Sequence, residues 1–106
     1  MDCKAKLIYV TCPNEDMARD ISAKLLQERL IACTNLLPGM ESTYWWEGKI
    51  TMSRECVLIL KTTEALVERV KARVETLHSY QAPCILILPI EDGSKDYLRW
   101  LEGSLL

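Results

Sequence analysis

A chain of 106 residues holds one domain with one core and has no room for two, so residues 1–106 are read as a single domain. Hydrophobic residues make up 49% and charged residues 26%, a globular composition that excludes a disordered chain. The formal net charge is -2, with Lys and Arg scattered among Asp and Glu, which excludes both the basic stripe of a nucleic-acid binder and an acidic tail.

Residues 6–12 read as a first strand, rich in Leu, Ile, Tyr and Val. Its apolar run is too short for a signal-peptide core or a membrane span, and no later segment reaches spanning length. A cytoplasmic protein without a membrane partner is expected. Pro13 and Asn14 stop the strand. Asn14 is a predicted helix N-cap, with Glu15 and Asp16 complementing the positive end of the helix. Met17, Ile21 and Leu25 recur every four residues, which predicts an amphipathic helix ending near Arg29. Strand pattern follows over 31–37, is interrupted by Pro38-Gly39 as a turn or bulge, and resumes over 41–46. Glu47-Gly48 turns the chain, a weaker hairpin signal than Asn-Gly, into a long strand over 49–61. Thr62 and Thr63 offer an N-cap to a second helix with the apolar stripe Leu66, Val67, Val70, Val74 and Leu77. Pro83 ends that region, and 85–90 form a nearly all-apolar strand. Ser94 is placed to cap a short terminal helix, with Gly103 just past its end.

The order β-α-β-β-α-β plus a terminal helix predicts an α+β, ferredoxin-like sandwich in which two helices cover one face of four antiparallel strands. Yet Ile85-Leu86-Ile87-Leu88 is apolar on both faces, the pattern of a strand buried on both sides. The same sheet from another copy of the chain is the expected cover, which makes the protein a homo-oligomer.

The five cysteines include no C-x-x-C and accompany a single histidine, so neither a zinc ribbon nor a thioredoxin-like motif is present. Without a secretory signal the thiols should be reduced, and Cys56 and Cys84, within apolar runs, read as core residues. No RNP-like string, Walker A loop or dinucleotide fingerprint occurs. Cys12 closes the first strand just before a helix N-terminus, a position that lowers a thiol pKa, while Glu15 and Asp16 oppose the effect. His78 ends the second helix, where the dipole favours an imidazolium and where imidazole could also serve as a metal ligand. A site joining Cys12 and His78 would form most easily across a subunit boundary, and thiolate with imidazole suits copper(I) or zinc. A Cys-His catalytic dyad lacks an orienting partner, so no enzyme is expected. Strand alternation puts Tyr44 and Trp46 on one face and Trp45 on the other, either as interface anchors or as a cleft wall with Glu47 as its acidic group.

Several strings then resemble one family in order along nearly the whole chain. Ile31-Ala32-Cys33-Thr34-Asn35-Leu36-Leu37-Pro38-Gly39 resembles the "A-A-C-x-N-x-x-P-G" segment of the CutA divalent-cation tolerance family. Ser42-Thr43-Tyr44-Trp45-Trp46-Glu47-Gly48-Lys49 is similar to its "S-x-Y-x-W-x-G-K" hairpin, and Leu60-Lys61-Thr62 to its "K-T" strand end. His78-Ser79-Tyr80-Gln81-Ala82-Pro83 resembles "H-x-Y-x-x-P", and Tyr97-Leu98-Arg99-Trp100 its terminal "Y-x-x-W". The resemblance implies a homotrimer of ferredoxin-like protomers associated with tolerance to copper and other divalent metals, with no established catalytic activity. It also implies weak copper binding through Cys12 and His78, with zinc or another divalent cation as the alternative ion. The family's trimer resembles that of PII-type signalling proteins. A second expectation is therefore a PII-like module that binds a small ligand in an inter-subunit cleft lined by Tyr44, Trp46, Glu47, Lys61 and Tyr80.

Overall fold

The structure, a computed structural model, describes residues 3–106. Met1 and Asp2 lie outside the described residues. Strand β1 (Ala5–Cys12) leads into helix α1 (Glu15–Gln27), β2 (Cys33–Trp46) and β3 (Lys49–Thr63). A 3-10 turn (Glu64–Leu66), α2 (Val67–Leu77), β4 (Ile85–Pro89) and α3 (Lys95–Gly103) complete the chain. The sheet order is β2-β3-β1-β4, and every neighbouring pair is antiparallel. This is the expected α+β, ferredoxin-like arrangement.

Helices α1 and α2 cover one face of the sheet, while α3 reaches the other, where its Tyr97 hydroxyl accepts a hydrogen bond from Lys61. On the face under α1 and α2, Ile8, Val10 and Cys12 of β1 stand opposite Leu60, Leu58 and Cys56 of β3. Ile21 and Leu25 of α1 and Val70 and Val74 of α2 close over them, all fully buried. Each such side chain removed from water contributes about 1.5–3 kcal/mol. The other face carries Leu7, Tyr9 and Thr11 of β1, Leu86 and Leu88 of β4, and Glu55, Val57, Ile59 and Lys61 of β3. Leu86 and Leu88 are 56% and 45% exposed, so β4 keeps apolar side chains open to solvent on the face opposite α1 and α2.

Local chemistry explains most boundaries. The Asn14 side chain accepts a hydrogen bond from the Met17 N–H at 2.8 Å, and Ser94 caps α3 by accepting from the Tyr97 N–H at 3.3 Å. Neither threonine caps α2. The Thr62 hydroxyl is buried and donates instead to the Leu30 carbonyl at 2.7 Å, while Thr63 precedes the 3-10 turn without a side-chain cap. Gly103 is the last residue of α3 rather than the one after it. Pro38-Gly39 does not divide β2, which runs unbroken through the pair with a register shift between Leu37 and Met40 and Gly39 at φ 72°. Two residues there face Cys56 alone, a β-bulge.

Candidate functional site

That bulge sets which side chains the hairpin presents. Without it, Leu37 would share its face with Glu41, Thr43 and Trp45, because side chains alternate strictly along a strand. The extra residue reverses the parity. Leu37 pairs with Val57, but Met40 then pairs with Glu55, Ser42 with Ser53 and Tyr44 with Thr51. Met40, Ser42, Tyr44 and Trp46 thus join Tyr9, Thr11 and Glu55 on the face opposite α1 and α2.

These side chains, with the segment after α2, enclose a groove of about 660 Å³. Glu55 lies in it with only 9% of its surface exposed. The Tyr80 hydroxyl donates to Glu55 Oε2 at 3.0 Å. Nearby, the Tyr44 and Ser53 hydroxyls share a hydrogen bond of 3.0 Å, and the Tyr9 hydroxyl donates to Met40 Sδ at 3.7 Å. Burial, the bond to Glu55 and the Glu55 charge push the Tyr80 phenol up to about 12. Burial and then the Glu55 charge push up the Cys84 thiol at the groove's edge.

His78 positions this wall. It caps the C-terminus of α2, where its own N–H reaches the Val74 carbonyl at 2.9 Å. Its ring is nearly buried and turned to the end of β1 rather than to the helix. Nδ1 accepts from the Tyr80 N–H at 3.1 Å, which makes Nε2 the protonated nitrogen, donating to the Thr11 carbonyl at 2.7 Å. The imidazole packs on the Tyr80 ring with centroids 4.8 Å apart. One side chain therefore ties the segment after α2 to β1 and holds Tyr80 over Glu55.

Cys12 and His78 come to neighbouring backbone positions within one chain, since His78 bonds the carbonyl of Thr11. Their ligand atoms are engaged elsewhere. Cys12 is fully buried beneath the helices opposite Cys56, whose thiol donates to the Asn14 carbonyl at 3.4 Å. Burial, with the charges of Cys56 and Glu55, pushes the Cys12 thiol up to about 12. Burial overrides the thiol-lowering effect expected of the helix N-terminus. Copper or zinc would need a thiolate and a free imidazole lone pair, and this arrangement supplies neither as it stands. Among the described residues, no group of three or more His, Cys, Asp and Glu side chains is placed to hold a metal ion.

Of the residues expected to line a cleft, Tyr44, Trp46 and Tyr80 meet in the groove. Glu47 sits in the hairpin turn at φ 50°. Lys61 lies about 20 Å further along β3 by strand rise, where its Nζ donates to the Tyr97 hydroxyl at 3.1 Å. The groove's carboxylate is Glu55, which sequence reasoning passed over. Its signal was parity, since Glu55 shares a face with Val57 and Ile59 in a strand that turns apolar at Cys56.

With that geometry in place, the likeness to known proteins spans the chain. The profile described as CutA1 divalent ion tolerance protein matches residues 6–104. The chain is 42% identical over 99 residues to the divalent-cation tolerance protein CutA of Thermus thermophilus, covering 93% of this chain and 96% of that one. It is 45% identical over 106 residues to the protein of that description from Citrobacter koseri, covering 96% and 89%. The crystal structure of CutA1 from Oryza sativa superposes with a TM-score of 0.95 at 38% identity, over 99% of this chain and 96% of that chain. The chain spans about half, 55%, of the chloroplastic Protein CutA 1 of Oryza sativa, to which it is 41% identical over 98 residues. With the profile matched from the first strand to the end of the last helix, the chain belongs to the CutA1 divalent ion tolerance family.

Proposed function

We propose that this chain serves divalent-cation tolerance as a non-catalytic ligand-binding module whose working site is the groove over Glu55. Family membership supports the role in divalent-cation tolerance. The observation that carries the choice of site is the nearly buried Glu55 carboxylate, which opens into a preformed concavity of about 660 Å³ with aromatic walls. Convergent polar groups in an apolar concavity are the usual make-up of a small-ligand site. The proposal includes a homotrimer, supported by the exposed apolar face of β4, and a cytoplasmic setting, supported by the five unpaired cysteines. A PII-like mode of action, in which ligand occupancy is passed on to a partner, fits such a module.

Copper binding at Cys12 and His78 is the competing reading, favoured by the juxtaposition of these residues through Thr11. It requires Cys12 to lose its proton and His78 to release a hydrogen bond. One experiment separates the two. Copper(I) is titrated into the reduced, anaerobic protein against a competing chelator, alongside a thermal-shift screen of small ligands. Wild type, Glu55→Gln and the Cys12→Ser, His78→Ala double variant are compared. Weak copper binding that survives the double substitution, with screen hits that vanish in Glu55→Gln, is the expected outcome. Tight stoichiometric copper binding lost in the double variant, with no hits dependent on Glu55, would overturn the proposal.

A further inference from the structure

The groove is electrically one-sided. Among the described residues Glu55 takes part in no salt bridge, and no lysine, arginine or histidine lines the groove. Its one hydrogen bond comes from a neutral phenol on Oε2. An ionised carboxylate taken this far out of water without a cation is costly, and pairing with a cation offsets the cost. The field is felt by four neighbours, since the Glu55 charge is among the causes that push up the acidic groups of Cys12, Cys56, Tyr80 and Cys84.

The walls narrow the kind of cation. Calcium takes six to eight oxygen ligands and magnesium a near-octahedral shell, whereas the groove supplies one carboxylate. Zinc and copper take thiolate or imidazole, but Cys84 is held towards its thiol form and His78 is fully engaged. Tyr44 and Tyr80 instead bring aromatic rings close to Glu55, and such rings attract ammonium and guanidinium groups electrostatically. Ser53 and Thr11 add oxygen acceptors beside the carboxylate.

We propose that the groove binds a small organic cation, a primary ammonium or guanidinium group seated on Glu55 and flanked by Tyr44 and Tyr80. This rests on the reading of the groove as the working site and names the chemistry of its ligand. The N–H donors reach the free lone pairs of Glu55, and the stem runs along the groove towards the hairpin.

The test uses the full chain and a matched set of probes, n-butylamine, n-butylguanidine, butyrate and n-butanol, with zinc and calcium chloride as metal probes. Binding is followed by tryptophan fluorescence and by amide chemical shifts of the residues around Glu55. The two cationic probes are expected to bind, more weakly as salt rises, while butyrate and butanol do not. Glu55→Gln, which keeps the shape of the side chain, should weaken the amines about 30-fold. Amine binding that is as strong in Glu55→Gln as in wild type would overturn the proposal, as would zinc or calcium binding at Glu55 in place of the amines. Butyrate or butanol shifting the groove amides while the amines do not would overturn the cation class and leave the groove standing as the working site. Silence of those amides to every probe, in a protein whose copper binding depends on Cys12 and His78, would overturn the choice of site as well.

Discussion

Cys12 illustrates how a position in the fold decides the chemistry of a residue. Burial, then the Cys56 and Glu55 charges, raise its pKa from 9.0 to about 12, and Tyr80 rises from 10.0 to about 12 with burial again the first cause. Cys56 and Cys84 move in the same direction. In each case the folded value lies above the unfolded one. Between the two, the folded chain keeps a proton that the unfolded chain has released, so stability falls as pH rises. The contribution is complete below the unfolded values and is lost as the pH climbs through the folded ones. For reduced protein, the free energy of unfolding by denaturant should therefore decline from pH 9.0 towards 12. Cys12 supplies on the order of 3–4 kcal/mol of that decline. Cys12→Ala should flatten the profile in this window, whatever it costs at neutral pH. An alkaline slope as steep in the variant as in wild type would show that the Cys12 thiol does not titrate as its burial requires. The same proton, held at neutral pH, is what makes Cys12 a poor metal ligand.

At the scale of elements, the β2–β3 hairpin carries six of the groove's aromatic and polar side chains, and its turn is two residues with Glu47 at φ 50° and Gly48 at φ 77°. Both angles are positive, as a type I′ turn requires. Gly48 adopts the left-handed region freely, whereas Glu47 carries a Cβ there at a cost of about 1 kcal/mol. Glu47→Asn should stabilise the protein by about 0.5–1 kcal/mol, because Asn tolerates that region, and Gly48→Ala should destabilise it by about 1 kcal/mol although space around Gly48 is open. Thermal unfolding of the two variants should move in opposite directions, and a shift of the same sign in both would refute the turn assignment. This turn, like the Asn14 and Ser94 caps, was legible because local residues alone determine it. The failed cap at Thr62 was not, since the competing acceptor, the Leu30 carbonyl, lies 32 residues away in sequence. Glu55 was missed for a related reason. Its own face follows β3 alternation, but the β2 side chains that join it there depend on the parity reversal at Pro38-Gly39, and its meeting with Tyr80 depends on His78 bonding across to β1.

For the whole molecule, the open question is what covers the exposed apolar strip on the face opposite α1 and α2. Leu86 and Leu88 of β4 stand beside Tyr9 and Leu7 of β1, in register, with Leu37 of β2 further across the same face. The hairpin projects from this sheet and gives the chain its long axis of 45 Å, with Trp45, Ile50 and Met52 exposed on the hairpin's other side. Isolated exposed leucines are ordinary, but a row on one strand joined to an aromatic hairpin is a contiguous apolar surface. Closing it against other copies of the chain would make dissociation and unfolding one event, so thermal stability would rise with protein concentration. Sedimentation equilibrium should return a mass three times the 12.1 kDa of the chain. The Leu86→Lys, Leu88→Lys double variant should sediment as a monomer and lose the concentration dependence of its melting temperature. Both side chains point away from the helix-covered core, so the variant should keep its helical circular dichroism. A wild-type protein that stays monomeric at micromolar concentration, melting at one temperature throughout a dilution series, would mean that the face is not covered by its own kind.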